Sequence, residues 1–92
     1  METKILSALK TQVLSLDKET GVTSNYFKGV NDLIRQNMGA DAAMVLSDSI
    51  EVGDEGDYFF PKAGDGEKTW KRMLTAYQEE KALDTPESLI GL

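Results

Sequence analysis

The segment IEVGDEGDYFFP, residues 50–61, decides the fold of this 92-residue chain. Two runs that contain β-branched and aromatic residues, 50–52 and 57–60, flank the segment 53–56, which begins and ends with glycine. A four-residue segment of this kind is typical of the loop of a β-hairpin. Pro61 has no N–H to donate to a neighbouring strand, so we expect it to close the second strand. The sequence therefore predicts an antiparallel hairpin here.

The stretch before the hairpin, residues 42–46, is a continuous apolar run of strand length. Periodicity alone does not distinguish such a run from a buried turn of helix. We interpret it as a strand, which gives a sheet of two or three antiparallel strands. The alternative is a third helix from Asp41 to Glu51, which the alanine, methionine and leucine content favours.

Two amphipathic helices are predicted at the start of the chain, over residues 3–18 and 24–38. Thr23 has the position of an N-cap, and Val22 and Phe27 have the spacing of a hydrophobic staple. Gly29 lies inside the second helix, where we expect it to allow close approach of the first helix in an antiparallel pair. The apolar face of the first helix comprises Ile5, Leu6, Leu9, Val13 and Leu16; that of the second comprises Tyr26, Phe27, Val30, Leu33, Ile34 and Met38.

After the hairpin, a further helix is predicted over residues 66–83, with Asp65 as its cap and Trp70 as a core anchor. A one-turn helix is expected to follow the pair Thr85 and Pro86. The predicted fold is a single α+β domain over residues 1–92. Its helical pair and C-terminal helix pack on a small antiparallel sheet in the order α-α-β-β(-β)-α. An all-α bundle is the alternative.

The charge of the chain is concentrated in its middle. Residues 41–67 contain eight acidic residues and one base, Lys62, whereas residues 1–40 and 68–92 are close to neutral. The net charge of −6 and a pI near 4.5 argue against binding to nucleic acids or anionic membranes, which depends on basic patches. An acidic surface instead suits a protein partner that has a basic surface.

Composition also limits the chemistry. The chain contains no cysteine and no histidine, which removes thiolate sites, the commonest general base and the commonest metal ligand. The acids around 54–57 lack the spacing of a calcium loop, and the sequence around Lys68 lacks the glycines of a phosphate-binding loop. We therefore expect no enzymatic activity, cofactor or metal. No apolar run approaches the length of a membrane span and the N-terminus has no signal-peptide pattern, so we expect a cytoplasmic protein.

The candidate partner-binding residues surround the aromatic cluster of the predicted hairpin. In a strand, Phe59 points to the face opposite that of Tyr58 and Phe60, so it belongs either to the core or to an interface. The candidate residues are Glu51, Asp54, Glu55, Asp57, Tyr58 and Phe59.

Residues 58–66, followed by Trp70, Leu74 and Tyr77 on one helix, resemble the segment of two aromatics and a proline, and the last helix, of the colicin and pyocin nuclease immunity proteins. The resemblance covers about 20 residues. It implies an acidic four-helix inhibitor of a nuclease. Gly56 stands where that family has an aspartate, the following loop is shorter, and the upstream helices do not align.

Two functions follow as hypotheses. The first is a small acidic binding module, for instance an inhibitor whose carboxylates imitate phosphates on a nuclease or another protein that handles nucleic acid. The second is a structural or assembly subunit of a larger complex, such as a phage particle or secretion apparatus, whose apolar patch is covered by its neighbours.

Overall fold

The computed structural model describes residues 3–16 and 21–84, and it confirms the α+β class with one small antiparallel sheet. The predicted turn of helix after Thr85 lies outside the described residues, as do residues 17–18 of the predicted first helix. That helix ends earlier than predicted, at Leu14, so Ser15 and Leu16 are not part of it. The elements, in chain order, are α1 (Thr3–Leu14), α2 (Ser24–Met38), α3 (Ala40–Ser49), β1 (Glu51–Val52), β2 (Tyr58–Phe59) and α4 (Asp65–Asp84).

The strand predicted over residues 42–46 is wrong, because this stretch belongs to helix α3. The alternative of a third helix is confirmed, with the bounds Ala40–Ser49. Ala42, Ala43 and Leu46 are fully buried, whereas Met44 is 61% exposed, so the apolar run is divided by the helical period into an inner and an outer side. Only Gly39 separates α3 from α2, and its φ of 99° is a backbone conformation that favours glycine.

Helix α3 packs against both α2 and α4, and these three helices hold most of the core. Trp70 is 4% exposed, which confirms it as a core anchor. The predicted capping by Thr23 is also confirmed, since its hydroxyl accepts a hydrogen bond from the N–H of Tyr26 at 3.1 Å. The buried apolar residues are Leu9, Val13, Leu16, Phe27, Val30, Ile34, Met38, Ala42, Ala43, Leu46, Phe60, Trp70, Met73 and Ala76.

The predicted apolar face of α2 is too wide. Tyr26 and Leu33 are 44% and 39% exposed, so they lie outside the core. A Cβ atom built on Gly29 meets no atom within 4 Å, and the predicted close approach of the first helix at this glycine is therefore wrong. Residues 26, 29 and 33 share one strip of the helix, and α3, which begins directly after α2, packs against a different side.

The predicted hairpin is confirmed. Strands β1 and β2 pair with Glu51 opposite Phe59 and Val52 opposite Tyr58. The loop closes through a hydrogen bond from the N–H of Gly56 to the carbonyl of Gly53, 2.9 Å long. The sheet gains a third backbone segment from another place than predicted: Val22 and Tyr58 exchange two hydrogen bonds of 2.8 and 3.0 Å. The hairpin is thereby attached to the start of α2.

Candidate protein-binding surface

Strand β2 presents its aromatic side chains to two different faces of the sheet. The ring of Tyr58 stacks on the ring of Phe27, with centroids 4.9 Å apart and planes at 15°. Phe60 is 3% exposed and belongs to the core. Phe59, between them, is partly buried and lies outside the core cluster. Because successive side chains of a strand alternate, Phe59 points to the side of the sheet away from the core.

Phe59 shares this side with two carboxylates. Glu51 lies directly across the hairpin from Phe59, and Asp57 lies two positions before it, so all three side chains project from one face. We call this face, made by Glu51, Gly53, Asp57 and Phe59, the outer face of the hairpin. A Cβ built on Gly53 would lie 3.0 Å from Cε1 of Phe59, so the edge of the ring rests on the backbone of this glycine.

Two glycines also make room for the carboxylate of Asp57. A Cβ on Gly53 would lie 2.6 Å from Oδ1 of Asp57, and a Cβ on Gly21 would lie 2.7 Å from Oδ2. Both distances are shorter than nonbonded atoms tolerate, so the two glycines form the space that this side chain occupies. The φ of Gly21 is also positive, at 55°. The carboxylate of Asp57 is thus held between the hairpin loop and the residue that precedes Val22.

The remaining acids of the hairpin lie at its tip. Asp54 and Glu55 occupy the two central positions of the turn and are exposed, as is Glu51. The structure shows an ion pair of Lys10 with Glu67 and another of Arg35 with Asp32, and neither involves the hairpin. No carboxylate of the hairpin therefore forms an ion pair with a described base. Among the described residues, no base neutralises the negative charge of the hairpin.

The structure places five of the six predicted residues on the outer face and the loop of the hairpin and turns the sixth inward. Glu51, Asp57 and Phe59 lie on the outer face, and Asp54 and Glu55 lie on the adjoining loop. The ring of Tyr58 projects from the opposite face onto Phe27. A shallow groove runs from the loop to the start of α2, and it is lined by Gly21, Val22, Thr23, Ser24, Glu55, Gly56 and Asp57.

A second surface was not expected from the sequence. A groove on α2 beside α1 is lined by Gln12, Asn25, Tyr26, Gly29, Val30 and Leu33. The sequence predicts Tyr26 and Leu33 in the core, because they follow the helical period of the buried residues, and Gly29 at a contact with the first helix. The signal that could have separated them is the width of the stripe, since two extra positions made it broader than one packing partner covers.

Other kinds of site are not apparent in the described part of the chain. It contains no group of three or more acidic side chains arranged to hold a metal ion. Within the same residues, no helix combines the length and the apolar character that crossing a bilayer requires. No protein-family model matches the chain, and the searches of curated proteins and of solved structures gave no match either.

Proposed function

We propose that this protein is a non-enzymatic binding module that docks its hairpin on the basic surface of a protein partner. The observation that carries the proposal is the position of Phe59, which lies outside the core on the same face of the hairpin as Glu51 and Asp57. An aromatic anchor with a charged rim is the usual composition of an interface hot spot and its surroundings.

The acids and the aromatic would contribute in different ways. Carboxylates on an exposed loop attract a basic partner and raise the rate of association, with a strong dependence on salt. Phe59 would mainly slow dissociation of the complex. Its ring is buried away from water in the complex, and separation has to expose that apolar surface to water again. The proposal includes a cytoplasmic location, as the sequence predicts.

The class of partner follows from the same charges. Carboxylates held on a short hairpin can imitate the phosphates of a nucleic-acid backbone, which nucleases and other nucleic-acid-binding proteins recognise through basic surfaces. An inhibitor that covers such a surface is the form of the proposal that we favour. Asp54 and Glu55 would supply the phosphate-like charges at the tip, and Glu51 and Asp57 would supply them beside the aromatic ring.

The test compares two variants of equal charge. In the first, Asp54, Glu55 and Asp57 are replaced by Asn, Gln and Asn. In the control, three exposed acids outside the hairpin that appear in neither ion pair, Asp41, Asp48 and Glu79, are replaced in the same way. The partner is first captured with the wild-type protein from lysate of the host and identified by mass spectrometry, and binding is then measured by surface plasmon resonance over a range of salt concentrations.

We expect the hairpin variant to associate at least tenfold more slowly than wild type at low salt and to lose most of its salt dependence. The control variant should change both quantities less, because its charges lie outside the proposed surface. Equal association rates for the hairpin variant and the wild type at low salt would overturn the proposal. Thermal denaturation of both variants shows whether the fold is retained.

A second candidate function rests on the groove on α2. Tyr26 and Leu33 are large apolar residues at 44% and 39% exposure, and Gly29 leaves an open notch between them. A subunit of a larger assembly would cover such a groove with a neighbour. Sedimentation equilibrium of the isolated protein tests this. Self-association that Leu33→Asp abolishes and Met44→Asp preserves would favour it, whereas a strictly monomeric protein at high concentration would count against it.

A further inference from the structure

We propose that the edge of β1 receives an extended segment of the partner, which pairs with Val52 as an added strand. This inference rests on the proposed function, since it specifies how the basic partner meets the hairpin. It commits to one occupant: a strand in which basic residues alternate with apolar or β-branched residues. The argument depends on the direction of the backbone groups, the exposure of the edge and the charge around it.

The hydrogen bonds of Tyr58 fix the direction of the backbone at Val52. The N–H of Tyr58 donates to the carbonyl of Val22 at 2.8 Å, and the carbonyl of Tyr58 accepts from the N–H of Val22 at 3.0 Å. In an antiparallel pair, residues that face each other either exchange both hydrogen bonds or direct them away from each other. The pair of Val52 and Tyr58 is of the second kind, so the N–H and carbonyl of Val52 point away from β2.

These outward groups are accessible. The side chain of Val52 is 59% exposed, and no described backbone group forms a hydrogen bond with the residue from the outer side. The edge continues to Ile50, whose φ of −100° and ψ of 140° are extended. By the same alternation, the carbonyl of Ile50 lies on the same side as the groups of Val52. The edge therefore offers one donor and two acceptors to an incoming strand.

The neighbouring side chains determine what the strand must contain. A residue that pairs with Val52 places its side chain beside Val52, on an apolar surface, so a β-branched or apolar residue fits there. The residues before and after it project to the outer face, beside Glu51, where basic side chains would oppose the carboxylates. The favoured segment therefore alternates between the two kinds of residue.

Charge also decides against a second copy of this chain as the occupant. Two β1 edges that paired with each other would bring Glu51, Asp54 and Glu55 of both molecules into one place, and like charges opposite each other are destabilising. Native proteins use short, charged edge strands to prevent such pairing. In this protein the same negative charge attracts a strand that carries basic residues. Addition of a strand to a sheet edge is an established mode of peptide recognition.

The first experiment uses the wild-type protein and a synthetic probe. A ten-residue peptide of alternating lysine and threonine is titrated against the labelled protein and followed by amide NMR and hydrogen exchange. The control probe is the peptoid with the same side chains, which carries the same charge. Its substituted backbone nitrogens leave no N–H for the acceptors of the edge and prevent its carbonyls from aligning with the N–H of Val52. We expect the peptide, at saturation, to slow exchange of the Val52 amide at least tenfold. The peptoid should shift resonances of the acidic loop without this protection.

The second experiment changes the protein. Val52→Pro removes the outward N–H while leaving the hydrogen bonds of its neighbours to β2, and the preceding residue is already extended, as proline requires. Val52→Thr is the matched control. We expect Val52→Pro to weaken peptide binding at least tenfold and Val52→Thr to leave it within about twofold. Protection of the Tyr58 amide reports whether the hairpin persists in each variant; the exchange result on the wild-type protein does not depend on this outcome.

The outcomes separate this inference from the proposed function. If the peptide and the peptoid bind equally and neither protects Val52, strand addition is overturned, and the acidic surface remains tested only by its charge variants. If peptide binding protects Val52 and Val52→Thr retains it, strand addition is supported. The proposed function fails by a different result, namely unchanged association of the charge variant with the captured partner.

Discussion

The carboxylate of Glu80, on α4, accepts a hydrogen bond from the backbone N–H of Asp41 in the first turn of α3, with 3.3 Å between Oε1 and N. The residue before α3 is Gly39, which has no side chain to cap the helix. A Cβ on Gly39 would lie 2.6 Å from Oε1 of Glu80, so the carboxylate occupies the space that the glycine leaves. One helix therefore receives its N-terminal cap from another, 39 residues later in the chain.

Replacing Glu80 by alanine should destabilise the protein by about 0.5–2 kcal/mol, the range for the loss of a helix N-cap. The carboxylate also interacts favourably with the positive end of the helix dipole, which adds to the effect at low salt. Urea denaturation measures the difference. Glu79→Ala is the control, since Glu79 is exposed and has the same side chain. Equal losses for both variants would show that the contact with Asp41 contributes nothing specific.

Replacing Gly39 by alanine should be more costly than Glu80→Ala, because it combines two effects. With φ 99° and ψ 167°, Gly39 has an extended conformation of positive φ that is essentially confined to glycine and costs an L-residue about 1–3 kcal/mol, and the new methyl group would collide with the carboxylate of Glu80. In a Glu80→Ala background the second effect disappears. A double-mutant cycle should therefore give a coupling energy between the two positions, and strictly additive losses would contradict the contact.

Asn31→Asp should destabilise the fold by about 1–3 kcal/mol, because it replaces a buried donor by an acceptor. Nδ2 of Asn31, 7% exposed, donates to the carbonyl of Ala43 at 3.0 Å and to the hydroxyl of Ser47 at 3.2 Å. In the aspartate variant, two oxygens would face each other across the interface of α2 and α3. Asn37→Asp, on the same helix at a more accessible position, is the control, and thermal denaturation should separate the two clearly.

Ile34→Ala should cost about 2–5 kcal/mol, as truncations of buried aliphatic residues do, since Ile34 is fully buried. Leu33→Ala should cost much less, because Leu33 is itself 39% exposed and its truncation leaves no enclosed cavity. The two variants differ by one position and remove similar volumes. If chemical denaturation shows that both variants lose a similar amount of stability, the groove on α2 is closed in solution.

Phe60→Ala should unfold or severely destabilise the protein, with a loss of about 3–5 kcal/mol, because Phe60 is 3% exposed in the core. Phe59→Ala should leave most of the stability in place, because this ring lies outside the core cluster. The comparison needs only the purified protein and circular dichroism. If Phe59→Ala were as damaging as Phe60→Ala, the outer face would be a second part of the core, and the proposed anchor would be lost.

The elements that carry strong local signals could be predicted from the sequence. Thr23 marks the start of α2 through its capping position, and the glycines at 53 and 56 mark the hairpin loop through its length. The alternation within β2 also predicts that Phe59 and Tyr58 separate to opposite faces. These features depend on residues that are near each other in the chain, so local physical chemistry is sufficient to find them.

The features that depend on distant partners could not be predicted in the same way. The run 42–46 forms a helix partly because α3 follows α2 after the single residue Gly39. The carboxylate of Glu80 then caps the N-terminus of α3. The pairing of Val22 with Tyr58 joins segments that no motif connects. The exposure of Leu33 likewise depends on the side of α2 against which the other helices pack. Each of these features is determined by tertiary packing and not by the local propensity of the sequence.

The pairing of Val22 with Tyr58 has a consequence for the order of folding. It closes a loop of 36 positions that contains α2, α3 and the hairpin tip. The entropic cost of closing such a loop grows with its length and is on the order of 3 kcal/mol. Helices α2 and α3 meet across a single residue and avoid this cost. We therefore expect the helices to assemble first and the hairpin to pair with Val22 late. The hairpin, which carries the proposed partner-binding surface, should then also be the first part of the protein to separate during local unfolding.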